Sequence, residues 1–205
     1  MPMGNISKLM LSDEEQQLVK NSDWILTKRI IIEKVNQLLG NLSETQQVII
    51  EREKCWLPQA VILSTPKIAK GENYLGLPYM LLDYPRCFND ADIFAIRTMF
   101  WWGNFFSVTL HVSGTYKQMF QQKILKNLPA AKQNFFICIH ESPWHHHFQA
   151  NNYVALKQLT VEKAEELIIK KQFIKLALKF SLQQWNTIPA LLEKSAEEMI
   201  EMLKD

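Results

Sequence analysis

The stretch from Ile93 to Val112, IFAIRTMFWWGNFFSVTLHV, leaves the chain few ways to fold. It is long and apolar enough to cross a bilayer as a helix, which takes about 20 residues. It also carries Arg97, Gly103, Asn104 and His111. A membrane helix would place those groups in hydrocarbon at a cost of several kcal/mol. A β-hairpin avoids that cost. Gly103-Asn104 suits a two-residue turn of type I′ or II′, with aromatic and β-branched residues on both sides. The expectation is therefore a hairpin in a soluble protein with no membrane partner.

The turn length sets the faces. A two-residue turn puts Trp102 opposite Phe105, Phe100 opposite Ser107, Thr98 opposite Thr109, and Ile96 opposite His111. The other face then holds Ile93, Ala95, Arg97, Met99 and Trp101 against Phe106, Val108, Leu110 and Val112. Its apolarity marks it as the core side, interrupted by Arg97. A three-residue loop would exchange the sides of one strand relative to the other.

The rest of the chain frames this hairpin. Ser12 and Glu15 form a capping box, so a short helix is expected near Asp13. Ser22 caps a longer helix whose apolar positions run from Trp24 to Leu39. Gly40 is read as its end, and Ser43 with Gln46 as the start of another. Pro58, Pro66, Pro78 and Pro85 then change the character of the sequence. Strands are expected at Ala60–Leu63 and Tyr79–Tyr84, separated by a long loop, STPKIAKGENYLGLP. The Gly71–Gly76 spacing in that loop lacks the Lys-Ser/Thr ending of a phosphate-binding loop. A helix follows from Thr115 to about Asn127, with Tyr116, Met119, Phe120, Ile124 and Leu128 on one stripe. Strands are expected at Asn134–His140 and Tyr153–Leu156, and helices from Thr160 to the end. The sum is a single α+β domain: a mostly antiparallel sheet of about five strands in two or three layers. Its parts are helical residues 1–56, a sheet-rich core at 57–157, and C-terminal helices at 158–205.

Composition narrows the function. With 205 residues, 47% hydrophobic and 21% charged, the chain can bury a core and is not disordered. A formal net charge of +2 gives no overall field for nucleic acid, and none is expected as a partner. Cys55, Cys87 and Cys138 are widely spaced without a CxxC, against a disulfide framework or a thiolate zinc site. The opening MPMGNISKLMLSDEEQQ lacks the pattern of a secretory signal, so a cytoplasmic location is expected.

Three features carry chemistry. The first is HESPWHHHFQ, residues 140–149, which begins like a zinc-protease motif. The motif fails because Trp144 occupies the position a helix would need for the second histidine, and Pro143 opposes the helix. A looser metal set remains, with His111, His140, His145 and His147 as ligands to a divalent ion such as zinc. The dull alternative is a polar loop whose rings lie on Trp144 and Phe148. The second feature is Arg97, whose guanidinium needs a partner on an apolar face. Asp83 and Glu141 are internal candidates, and an anionic ligand is the functional one. The third is the aromatic group around the turn, which serves as core, pocket wall or contact surface. Together these give a binding module with a small-molecule or anionic-ligand site at Arg97, Thr98, Trp102, Phe105, Thr109 and His111. The alternatives are a metal-dependent enzyme of hydrolase type, and a structural subunit that forms a homodimer through the aromatic face.

Overall fold

The apolar stretch forms two central strands, β3 (Ile93–Trp101) and β4 (Phe105–Ser113), in a computed structural model that describes residues 9–89, 91–131 and 133–205. Around them are β1 (Lys67–Tyr74), β2 (Leu77–Phe88), β5 (Phe136–Cys138), β6 (Tyr153–Ala155) and β7 (Phe173–Ser181). The seven strands make one sheet in the order β1-β2-β3-β4-β7-β5-β6, and every pairing is antiparallel. The fold is thus α+β with an antiparallel sheet, but with seven strands rather than about five.

The hairpin turn is three residues long. Trp101 pairs with Phe105, the Asn104 N–H donates to the Trp101 carbonyl at 3.0 Å, and Gly103 is left-handed at φ +69. A glycine at the third position of a four-residue turn supplies the positive φ that such a turn requires. The strands are therefore shifted by one residue from the two-residue expectation, and β4 turns over relative to β3. Arg97 now shares a face with Thr109 and His111, while Thr98 lies on the other side opposite Val108.

Two further strands correct the sequence reading. The expected loop after Pro66 is β1, joined to β2 by Leu75 (φ 50) and Gly76 (φ 85). Both central residues have positive φ, as a type I′ turn demands. The expected C-terminal helices are interrupted by β7, FIKLALKFS, which lies between β4 and β5. In turn, the expected strand Ala60–Leu63 falls in a short helix, α3 (Gln59–Ile62).

The chain divides into two compact units, Met1–Gln37 and Leu38–Asp205. The first contains α1 (Asp13–Lys20), whose Ser12–Glu15 capping box is present, and the opening of α2 (Ser22–Arg52). Helix α2 does not stop at Gly40. Leu39, Leu42, Gln46, Ile49 and Ile50 keep one buried face through that position. Burying that face outweighs the roughly 1 kcal/mol that an interior glycine costs. The Ser43 hydroxyl donates backward to the Gly40 carbonyl instead of capping a new helix.

In the second unit, α4 (Gly114–Ala131) and α6 (Ile188–Glu201) touch the central strands β3 and β4, and α5 (Val161–Lys170) packs on α4. Tyr116, Phe120, Ile124 and Leu128 of α4 are buried as expected, with Phe94 edge-on to Tyr116 and Phe120. Met119 is exposed. Trp185 closes the same face against Phe100 and Phe106. Most of the turn's aromatic group is thereby consumed within the chain, because Phe100, Trp101, Phe105 and Phe106 are all buried.

Helix α4 starts from a constrained point. Gly114 has φ +55, and a Cβ there would lie 2.0 Å from Asp92 Oδ1 and 2.7 Å from the Ala91 carbonyl oxygen. That same Asp92 oxygen accepts the Thr115 N–H at 2.7 Å, capping the helix. Gly114→Ala adds a left-handed strain of about 1–3 kcal/mol to the overlap. A loss of at least about 2 kcal/mol is expected in urea unfolding. A loss near zero would show that the loop before α4 relaxes freely.

Candidate functional site

The face of the sheet that carries Arg97 is polar at its centre. Antiparallel registration places Asp83, Arg97, Thr109 and Ala177 in one row across four strands, and Ala95, His111 and Lys175 in the next. Ile139–Asn152, the segment containing HESPWHHHFQ, lies over this face. The cluster is built by cross-strand neighbours below and backbone atoms of the segment above.

Arg97 is held from two directions. Its Nε and Nη2 donate to Asp83 Oδ1 and Oδ2 at 2.6 and 2.8 Å, a bidentate pair. Its Nη1 lies 3.1 Å from His146 Nε2. A guanidinium can only donate, so this nitrogen accepts and the His146 proton resides on Nδ1. Burial holds the His146 pKa well below its usual value, with Lys175, Arg97, His111 and His145 acting in the same direction.

Lys175 is 3% exposed and fastens the segment. Its Nζ donates to the Pro143 and His145 carbonyls at 2.7 and 2.6 Å and sits 5.5 Å from the Tyr153 ring centre. Burial is the largest cause that pulls its pKa down to about 7; Cys138 opposes the shift and Arg97 adds to it. From β1, the Tyr74 hydroxyl accepts the backbone N–H groups of His146 and His147 at 2.7 and 3.1 Å. Lys171 Nζ donates to the carbonyls of Ile139 and His140. Phe148 anchors the far end, edge-on to Phe105 and Phe136 and stacked on Tyr153.

The proposed metal ligands fall into two groups. His140, His145 and His147 form a column of rings, with centres 4.1 Å apart for the first pair and 5.5 Å for the second. His140 Nδ1 accepts the Ser142 N–H. His111 sits elsewhere, edge-on to Trp144 at 6.0 Å and Phe173 at 5.7 Å. Its pKa is lowered to about 3 by burial and by the nearby Lys175 and Arg97. Among the described residues, no group of three or more His, Cys, Asp or Glu side chains is placed to hold a metal ion.

The expected ligand residues are likewise divided. Arg97, Thr109 and His111 border a small void of about 10 Å³ that Trp144 and Lys175 also line, the room of about one water molecule. Phe105 lies farther along the same face, in a cluster with Trp101 and Met99. Thr98 is on the opposite face, and Trp102 occupies the turn. His111 also forms part of a second, open cleft of about 730 Å³. Its walls are the start of α4, the junction of α5 with β7, and Glu141, Pro143 and Trp144 of the covering segment. Lys117, Lys170 and Lys171 face this cleft with Glu141, and Gln118 and Gln121 add amides. Lys117 donates to the carbonyls of Ile169 and Lys171, which fixes its position.

Sequence reasoning did not single out Lys175, Tyr74 or His146. A signal was available for Lys175: it alternates with Phe173 and Ala177 in a run that also reads as a strand. No family model matches the sequence, and no curated protein or solved structure is significantly similar to it. Among the described residues, no helix is long and apolar enough to cross a membrane.

Proposed function

We propose that the chain is a binding module for a small anionic molecule, held in the cleft between the start of α4, the α5–β7 junction and Trp144. The observation that carries this reading is the cleft's size together with its charge. Its volume of about 730 Å³ falls within the range of about 300–1,000 Å³ for small-molecule sites. Lys117, Lys170 and Lys171 line it with Glu141 alone among the carboxylates, although Lys170 also pairs with Glu166 and Lys171 with two backbone carbonyls. Ile93, Trp144, Ile169 and Phe173 give an apolar wall on which a carbon skeleton can lie, and the lysines and glutamines address a carboxylate or phosphate. His111, uncharged at neutral pH, is part of the lining, and its unpartnered Nε2 offers a hydrogen bond in place of a charge. Of the residues expected from sequence as ligand contacts, His111 is the one that this site uses directly. Arg97 supports it from beneath through the covering segment.

The test is an NMR titration of uniformly ¹⁵N-labelled protein with inorganic phosphate, citrate and adenosine monophosphate in turn. At least one should move the amide signals of 114–121 and 169–173 at millimolar concentration. Lys170 is well exposed, so Lys170→Glu should leave the fold intact. It should weaken binding about 5–10-fold, corresponding to roughly 1 kcal/mol. No shift in those segments with any of the three anions would overturn the reading.

A further inference from the structure

The N-terminal unit exposes an apolar surface that its own helices do not cover. Every described residue from Leu9 to Thr27 is exposed, and α1 buries none. Nine of the nineteen exposed large hydrophobic residues among those described fall between positions 9 and 30. They include Leu9, Val19, Leu26 and Ile30, exposed at 86, 74, 52 and 53%. An eight-residue helix with no buried residue is marginal in water, since isolated helices below about 12–15 residues rarely persist. The opening of α2, WIL followed by III, is apolar on more than one side, which is the pattern of a helix enclosed by neighbours.

Area and charge identify the neighbour. The nine residues leave roughly 1,000 Å² in water, comparable to the about 800 Å² that one partner contributes to a standard interface. Asp13 and Glu14 make the start of α1 acidic, while Arg29 and Lys34 help give the first half of α2 a net positive charge. None of these four forms an ion pair among the described residues. A twofold axis would set the acidic end of each α1 against the basic part of the other copy's α2, satisfying both ends at once.

We propose that residues 9–34 are the interface of a homodimer, in which α1 and the start of α2 from two copies of this chain form a four-helix contact. The surface is distinct from the aromatic hairpin, whose rings are mostly buried within the chain. The proposal does not rest on the anion-binding reading.

Sedimentation velocity of the full chain, from about 1 to 200 µM, tests it on the usual scale of protein association. A dimer of twice 24.0 kDa should accumulate with concentration. The double substitution Leu26→Glu, Ile30→Glu should give a monomer with an unchanged near-ultraviolet circular dichroism spectrum from the sheet aromatics. Charge reversal provides a second, milder test. Asp13→Lys with Glu14→Lys, or Arg29→Glu with Lys34→Glu, should each weaken self-association at least about tenfold. An equimolar mixture of the two reversed proteins should form a heterodimer of nearly native affinity. A monomer at the highest concentration would overturn the proposal, and co-sedimentation of that monomer with phosphatidylglycerol vesicles would assign the surface to lipid instead. A dimer that withstands both the apolar and the charge substitutions would also overturn it.

Discussion

Replacing Asp83 with alanine should cost the protein about 3–5 kcal/mol, the penalty for leaving one charge of a buried pair without its partner. The side chains of Arg97 and Asp83 are only 17 and 11% exposed, so water cannot readily take the place of the carboxylate. His146 Nε2 would be the remaining polar contact for the guanidinium, and a neutral imidazole does not balance its charge. Urea unfolding should show the loss as a lower midpoint, and Tm should fall by roughly 10 °C for a chain of this size. The double replacement Asp83→Leu, Arg97→Met is the informative companion. It removes both charges together and should recover most of the loss, because apolar substitutes for a buried pair are often neutral. If Asp83→Ala costs less than about 1 kcal/mol, the pair behaves as a surface ion pair and the polar face is wetter than its geometry implies.

That pair also shows how far sequence carries. The alternation of β3 placed Arg97 between Ala95 and Met99 on one side of a strand, and no structure was needed to see that it required a partner. Asp83 was one of two internal candidates. The neighbours of Arg97 were misassigned because one residue of turn length decides them. With Trp101 opposite Phe105, Thr109 and His111 move to the side of Arg97. Strand β7 escaped notice for a related reason. FIKLALKF has apolar residues at both strand and helix spacings, and no glycine or proline marks its ends. Its central place is set by pairing with β4, which is remote in sequence. Strand β1 was hidden by its lysines and by a turn with a leucine in the left-handed region, a position rarely taken by a branched side chain. The helix stripes were legible because their spacing is local, as in Tyr116, Phe120, Ile124 and Leu128. The histidine-rich segment was legible as a place of interest, but its tether is Lys175, a residue thirty positions away from His145.

Acidification from pH 7 to pH 5 should destabilise the protein before its carboxylates begin to titrate. The pKa values of His111, His146 and His147 are all depressed by burial in the folded state. Below about 6.5 the unfolded chain takes up these protons and the folded chain does not, so stability falls as pH falls. For His111, whose pKa is about 3, this loss continues down to that value. Its total is about 5 kcal/mol, of which roughly 2 kcal/mol has gone by pH 5. Lys175 acts with the same sign at the other end. Its pKa of about 7 makes stability rise between pH 7 and the ordinary lysine range, because the unfolded amine holds its proton longer. Glu53, lowered to about 2, contributes only below the usual carboxylate range, which leaves the window between pH 5 and 6.5 to the histidines. Burial against Trp144 and Phe173 is the main reason His111 resists protonation, and the charges facing it, Lys175 on β7 and Arg97 on β3, act in the same direction. His111→Phe keeps a ring between Trp144 and Phe173 and should reduce the slope of stability against pH in that window. An unchanged slope in the variant would show that His111 does not govern the acid response. The covering segment should respond before the sheet does, because opening it frees His146 Nε2 from Arg97 and lets the ring take up the proton it refuses while buried. Protection from hydrogen exchange, taken relative to the intrinsic rate at each pH, should therefore fall at 139–152 at pH 5 while β3 and β4 remain protected. An equal loss of protection throughout would show that the segment and the sheet unfold as one.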